Sequence, residues 1–369
     1  MEKKNVILLT PLTGNGGIAS WSRKYMKQFK SEWFSLIPVN RAAPQSSAFH
    51  NSKFKRIVVG IRELFVVLGS LRKITRSSEV AVIHATTSGS LGTIRDFLVT
   101  FPRYRAKSKM ILQAHYGCIP EDINRFFYGR FLLWTMSRYD ELWVLDSHTE
   151  KCLKSYKKLS SKVYLVPNCI NVNPSLNISS KQYRHYAFIA NLIPEKGLFE
   201  LVSAFLMRTD DAILSIVGKG NREVEHQLKR MVRNKENKSI FLKGQLTNEK
   251  AIEFMNNVDA VILPTYMPQE AFPISILEAM SLGKLVITTR RAALADMLTM
   301  DDGTTCGIFV NERSVEDISD AIDYCRKYPE EADELCKKAY KKVCGRYSTE
   351  VVYRLYEQHY ATLAGISFL

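Results

Sequence analysis

Two glutamates eight positions apart, Glu270 and Glu278, stand in the run from Pro268 to Gly283. Glu278 follows Ser275 by three residues and Ile274 by four, so all three would share one face of a helix. A carboxylate, a hydroxyl and the unpaired N–H groups of a helix start, from Phe272 through Pro273, Ile274, Ser275 and Ile276, would then surround one small volume. Such a start attracts phosphate, because its donors are free and its dipole end is positive. A carboxylate one turn further in can accept both hydroxyls of a ribose, and Glu270 in the loop can reach a sugar beyond the phosphate. Acidic residues are also ordinary in first turns, so this run alone leaves a plain structural helix equally open.

The elements that must position these groups follow from their neighbours. Pro273 suits a first helical position, Gly283 suits the residue past the helix end, and the apolar residues 285–289 read as a buried strand. Further back, residues 6–10 read as a strand and 11–17 as a glycine-rich turn containing Gly16 and Gly17. Residues 18–29 read as a helix with Ile18, Trp21, Tyr25 and Phe29 on one face. That turn fits neither the Walker pattern nor Gly-x-Gly-x-x-Gly, but adjacent glycines before a helix let a backbone approach a ligand closely. Strands at 80–84, 110–115, 141–145 and 163–167 follow. His115 ends the second of these and His84 the first, and ligands of open parallel sheets bind outside the carboxyl ends of strands. A histidine there is more often just a hydrogen-bonded structural residue, for His84 still more than for His115. After a polar stretch at 168–181, the best linker candidate, strands at 187–190, 212–217, 239–242, 260–263 and 285–289 alternate with helical segments. A loop at 301–307, a helical region from Ser314 and a terminal helix near 349–364 complete the chain. Alternation of this kind predicts parallel sheets covered on both faces.

A length of 369 residues exceeds what one core usually serves, so two α/β domains are expected. The seven cysteines are odd in number and form no Cys-x-x-Cys pair, which argues against a disulfide framework and a zinc site. The first apolar run is too short for a signal peptide, and no run reaches the ~18 apolar residues of a spanning helix, so a cytoplasmic location is expected. Residues 1–170 hold 27 Lys and Arg against 11 Asp and Glu, whereas residues 171–369 hold 25 against 26. The whole net charge of +15 therefore belongs to the first half, with basic clusters at 54–76 and 103–109. An anionic partner follows: a membrane surface, a polyphosphorylated substrate or nucleic acid. For 54–76 a core-packed helix with a solvated charged face competes with membrane-surface contact. No RNA-binding or helix-turn-helix signature occurs, so nucleic acid is not expected.

With these motifs in order, the chain resembles the family 4 retaining glycosyltransferases of the two-domain GT-B fold. The paired glutamates are Glu270 and Glu278, the Lys-Gly turn is Lys196-Gly197, the Val-Gly-x-Gly turn is 217–220, and the Phe-Leu-x-Gly segment is 241–244. Gly16 and Gly17 match the family's N-terminal glycine loop, His115 its strand-end histidine, Asn168 its hinge, and 346–350 onward its crossover helix. The resemblance implies two doubly wound Rossmann-like domains facing across a cleft. The first, at 1–168, would bind the acceptor and be completed by the crossover helix 347–369; the second, at 169–346, would bind the nucleotide-sugar donor. Lys196 would hold the donor diphosphate, Ser275 and the N–H groups near 272–276 would cradle it, Glu278 would bind the ribose and Glu270 the transferred sugar. His115 would touch the sugar, and Gly16 and Gly17 would close over the phosphate side. The family's arginine is Asn191 here, after Ala190 where glycine is usual, so charge on the leaving group would rest on Lys196, the helix dipole or a neighbour such as Arg291.

The implied reaction moves a sugar from a nucleotide sugar to a hydroxyl with retention at the anomeric carbon. A UDP-sugar is favoured and a GDP-sugar is the alternative, selected by backbone near 244–246. No cofactor is expected, and no metal, since no Asp-x-Asp pair occurs. The acceptor would be a lipid-linked saccharide of bacterial cell-surface polysaccharide synthesis, met by a monomer or homodimer at the inner face of an anionic membrane. A soluble acceptor, a nucleotide-sugar epimerase, a phosphorylase and a non-enzymatic anion binder are the other readings.

Overall fold

The structure, a computed structural model, describes residues 2–14, 16–41, 53–173, 178, 182–233 and 239–367, without the side chains of 53–58. Part of the linker expected at 168–181 falls outside these residues. The fold is α/β, with two parallel six-stranded sheets. The chain forms two compact units: Met1–Val166 with Tyr353–Leu369, and Pro167–Val352.

In the first unit the strands are β1 (Lys4–Thr10), β2 (Phe34–Asn40), β3 (Val80–Thr87), β4 (Lys109–Ala114), β5 (Glu141–Val144) and β6 (Val163–Leu165). Their order is β2-β1-β3-β4-β5-β6, every pairing parallel. Val6, Ile7, Leu8 and Leu9 are all fully buried, as a central parallel strand covered on both faces requires. Sequence reading did not anticipate β2, because Pro38 interrupts it. The strand lies at the sheet edge, where a missing N–H costs no ladder bond.

One face of this sheet is apolar. Val67 and Leu71 of the helix Lys53–Ser77, Val99, and Leu132 and Met136 of the helix Phe126–Ser137 pack with Ile7, Leu9, Ile83 and Leu112 in one cluster. The short helices Gly92–Leu98 and Pro102–Arg105 belong to the same layer, since right-handed crossovers put every connection from β2 onward on one side. The opposite face carries the helices Gly17–Gln28 and Thr349–Ala364 in an aromatic, hydrogen-bonded layer. There the Tyr25 ring lies 5.2 Å from those of Tyr353 and Tyr356, tilted to the first and edge-on to the second, and its hydroxyl is hydrogen-bonded to that of Tyr360 at 2.8 Å.

His84 belongs to this layer and not to a strand end, because β3 continues to Thr87. Its Nδ1 is 2.6 Å from the Tyr360 hydroxyl and its Nε2 is 3.0 Å from Gln113 Oε1. The amide oxygen can only accept, so Nε2 carries the proton and the tyrosine donates. Burial holds this imidazole neutral, its pKa lowered to about 3. The helix start expected at Ile18 falls at Gly17, with Gly16 as its cap.

The second unit contains β7 (His185–Ile189), β8 (Ile213–Val217), β9 (Ile240–Gly244), β10 (Ala260–Leu263), β11 (Leu285–Thr288) and β12 (Ile308–Phe309). Their order is β12-β11-β10-β7-β8-β9, again all parallel. The two-residue edge strand β12 is too short to carry a periodic signal. The helix Thr349–Ala364 falls where the terminal helix was expected, directly after the π-helical turn Val343–Tyr347.

Candidate functional site

The carboxyl ends of β7, β8, β9 and β10 carry the second unit's candidate residues. After β7 the chain turns through Ala190 and Asn191, makes a 3-10 turn at Pro194–Lys196, and enters the helix Leu198–Leu206 from Gly197 at φ 73°. A Cβ on Gly197 would lie 2.2 Å from the Pro264 carbonyl oxygen, so only glycine lets this turn close on the exit of β10. The Glu195 carbonyl accepts the Tyr266 N–H at 2.8 Å, fastening the turn to the loop that leads to Glu270. As a result Lys196 Nζ stands 3.0 Å from Glu270 Oε2. The contact is electrostatic: that oxygen is sealed from solvent and accepts no hydrogen bond in good alignment. Lysine and glutamate, 74 positions apart, thus meet in one small volume.

Glu270 leads into the helix Ile274–Ser281, which is capped by Pro273 with no side-chain cap. Proline is therefore the cap itself and not the first helical residue, because its ψ of 110° is extended. Ile276 N–H bonds the Pro273 carbonyl at 3.1 Å, while the N–H groups of Ile274 and Ser275 have no acceptor among the described residues. Phe272 is buried and Ser275 half-buried beside them. At the far end Gly283 N–H bonds the Met280 carbonyl and Lys284 N–H the Ala279 carbonyl, at 3.1 and 2.9 Å, a Schellman closure. Glu278 faces a partner that sequence reading missed: its Oε1 accepts Asn248 Nδ2 at 2.9 Å. Asn248 opens the helix Asn248–Asn256 where a helix start was expected, after a Thr247 cap whose hydroxyl accepts the Lys250 N–H.

Next to this region lies a pocket of about 400 Å³ lined by Leu192, Gly218, Lys219, Lys243, Gly244 and Gln245 among others. Gly218 is required there, since its Cβ would stand 1.9 Å from the Ala190 carbonyl oxygen. Asn191, at the arginine position of the resembling family, is exposed, and among the described residues its side chain has no hydrogen-bond partner. Arg291 is engaged with Glu312 at 3.3 Å, on a loop tied to Ala271 by the Ala293 N–H.

In the first unit, Gly16 and Gly17 have open space where a Cβ would stand. One turn later Trp21 lies 4.7 Å, ring to ring, from His115. His115 follows the last residue of β4, and its N–H bonds the Thr87 carbonyl at 2.9 Å. Burial, then His84 and Arg41, lower its pKa to about 3, so it is a neutral imidazole. His115 Nε2, Trp21 Nε1 and Arg41 Nε are each sealed from solvent without a hydrogen-bond partner. Buried polar groups are bonded in the great majority of cases, so three orphans near one strand end mark a place built to receive polar atoms. Arg41 was missed because it follows β2, the strand hidden by Pro38. Burial, and next the nearby Arg95, lower its pKa to about 9.

Residues 175–342 match the family model described as glycosyl transferases group 1. A comparison with curated proteins gives no match. Solved structures similar to this chain include a glycosyltransferase from Rickettsia africae, at 16% identity over 100% of both chains with a TM-score of 0.74. A sucrose-phosphate synthase from Thermosynechococcus elongatus is similar at 14% identity over 99% of this chain and 100% of its own, also at 0.74. The Anabaena protein Alr3699/HepE, solved in complex with UDP, is similar at 13% identity over 97% and 100%, with a TM-score of 0.71. The second unit, in which Lys196 meets Glu270, thus carries a glycosyl transferases group 1 match on a chain with the fold of solved glycosyltransferases.

Proposed function

We propose that this protein transfers a sugar from a nucleotide sugar, a UDP-sugar, to a hydroxyl of a lipid-linked saccharide, with retention and without a metal ion. The observation that carries the reading is the meeting of Lys196 and Glu270 beside the free N–H groups of Ile274 and Ser275, with Glu278 one turn further along. The UDP held by the similar Anabaena structure favours that nucleotide. In the reaction, the bond between the anomeric carbon and the diphosphate oxygen breaks and its electron pair stays on that oxygen. The acceptor oxygen bonds the same carbon on the same face and yields its proton to the departing phosphate.

What this needs from the protein is charge and donors placed in advance at the departing oxygen. Lys196 supplies the cation, and the helix start supplies two N–H groups and a positive dipole end. Ser275 adds a hydroxyl, Glu278 takes the ribose while Asn248 holds its carboxylate, and Glu270 orients the sugar. In the first unit His115, neutral at working pH, would exchange hydrogen bonds with sugar hydroxyls, and Gly16 and Gly17 would admit the phosphate side. The role is in cell-surface polysaccharide synthesis at a cytoplasmic membrane face, where the basic first half meets anionic lipid.

Separate Lys196→Ala and Glu270→Ala variants test the assignment through acceptor-dependent UDP release. Each is expected to lose at least about a hundredfold in kcat with its circular dichroism unchanged. Wild-type rates in both would remove the site. UDP release without any acceptor, at the full rate, would replace transfer by epimerase-like chemistry.

A further inference from the structure

The helical layer on the apolar face of the first sheet exposes rings and cations together. On the helix Phe126–Ser137, Phe127, Phe131 and Trp134 recur at helical spacing along one side, and Phe127 and Trp134 are 84% and 52% exposed. Phe126, 69% exposed, has its ring 4.9 Å from that of Phe127. The contacts continue onto the neighbouring helix Gly92–Leu98, where Phe97 is 4.4 Å from Trp134, 5.6 Å from Phe131 and 5.2 Å from Phe101. Single exposed apolar residues are normal on a protein surface, but a connected band of rings marks an interaction site.

Cations are fitted into the band. Arg138 lies 5.4 and 5.2 Å over Phe97 and Phe101, and Arg130 lies 5.8 Å over Phe126. Residues 53–138 contain 15 Lys and Arg against five Asp and Glu. Two of those five carboxylates are already taken, Asp96 by Arg95 and Asp122 by Arg125. A second copy of this face would bring like charges together. Nucleic acid would match the charge and the rings, but the aliphatic extension by Leu91 and Ile94, 79% and 48% exposed, offers nothing to a base and suits hydrocarbon.

We propose that this face docks on an anionic lipid surface, with Phe126, Phe127 and Trp134 inserted at the headgroup level and the surrounding arginines on lipid phosphates. The inference rests on the membrane part of the function proposed above and adds apolar insertion to charge. Aromatic rings favour the membrane interface, and binding of such a face sums its apolar area and its attraction to anionic lipid. Among the described residues no helix is long and apolar enough to cross a membrane, so the contact is on the surface plane. Because insertion is not screened by salt, only part of the binding should vanish as salt rises.

Partitioning of the full chain onto vesicles with ~30% anionic lipid tests this, followed by tryptophan emission. The emission should shift to the blue on binding, and a Trp134→Phe variant should lose the shift. A Phe126→Ser/Phe127→Ser variant with unchanged near-UV circular dichroism should partition about tenfold or more weakly. At ~0.5 M NaCl, where the screening length is about 4 Å, the wild type should retain measurable binding and the double variant none. If the double variant partitions like the wild type, or salt releases the wild type completely, charge alone carries the docking. The aromatic face is then wrong while the membrane reading stands. No partitioning at any salt overturns both, and so does vesicle-free retention on DNA that the double variant loses.

Discussion

Lys196 serves two anions in the proposed reaction: Glu270 at 3.0 Å in the structure and the incoming diphosphate. A cation shared in this way gives the departing phosphate less than its full charge, and the neutral Asn191 adds none. The prediction at this scale is that Asn191→Arg raises kcat/KM by about tenfold, the worth of one charge-assisted hydrogen bond that strengthens as charge develops. Initial rates at saturating acceptor check it. An unchanged rate would mean that the missing charge is already supplied, and Arg291, on the loop bonded to Ala271, is the residue to vary next.

At the scale of elements, the site depends on backbone approaches that only glycine permits. Gly218 brings the exit of β8 against Ala190, and a Cβ there meets the Ala190 carbonyl oxygen at 1.9 Å. Gly218→Ala must push these two strand ends apart and is expected to cost more than about 2 kcal/mol in urea unfolding. Gly16 is the contrasting case, with φ −76° and nothing within 4 Å of its would-be Cβ. Gly16→Ala should change stability by no more than about 0.5 kcal/mol. If a ligand's phosphate approaches this loop as proposed, turnover should nonetheless fall. Unfolding curves and rates measured on the same pair of variants separate fold-bearing glycines from ligand-bearing ones.

On the scale of the whole molecule, acid should loosen the first unit. His84 and His115 are held neutral by burial, with pKa values near 3 against about 6.5 in an unfolded chain. Above pH 6.5 both states are neutral and nothing is lost. Below it the unfolded chain takes up two protons that the folded one refuses, so stability falls as the pH drops towards 3. The two histidines together should cost about 2 kcal/mol between pH 6 and pH 5. Urea midpoints across that range measure the slope, and His115→Gln should remove about half of it. A slope unchanged in that variant would mean that other groups drive the acid response.

Residue order alone was enough to identify both sheets' central strands, the glycine turns and the helix beginning after Glu270, because apolar periodicity and glycine placement are local properties of the chain. The roles proposed for Glu270, Glu278 and Lys196 rest on the family resemblance that several motifs carry together. What the tertiary structure decided is non-local. Lys196 and Glu270 become partners because the Lys-Gly turn closes on Pro264, and Asn248 reaches Glu278 from a separate helix. His84, which by position matched His115, became a core residue once β3 ran three residues further and Tyr360 arrived from the end of the chain. Arg41 stayed hidden because Pro38 masked its strand until the sheet order placed that strand at an edge. Which side chains meet depends on how elements pack, and packing is a property of the folded chain that spacing along the sequence does not carry.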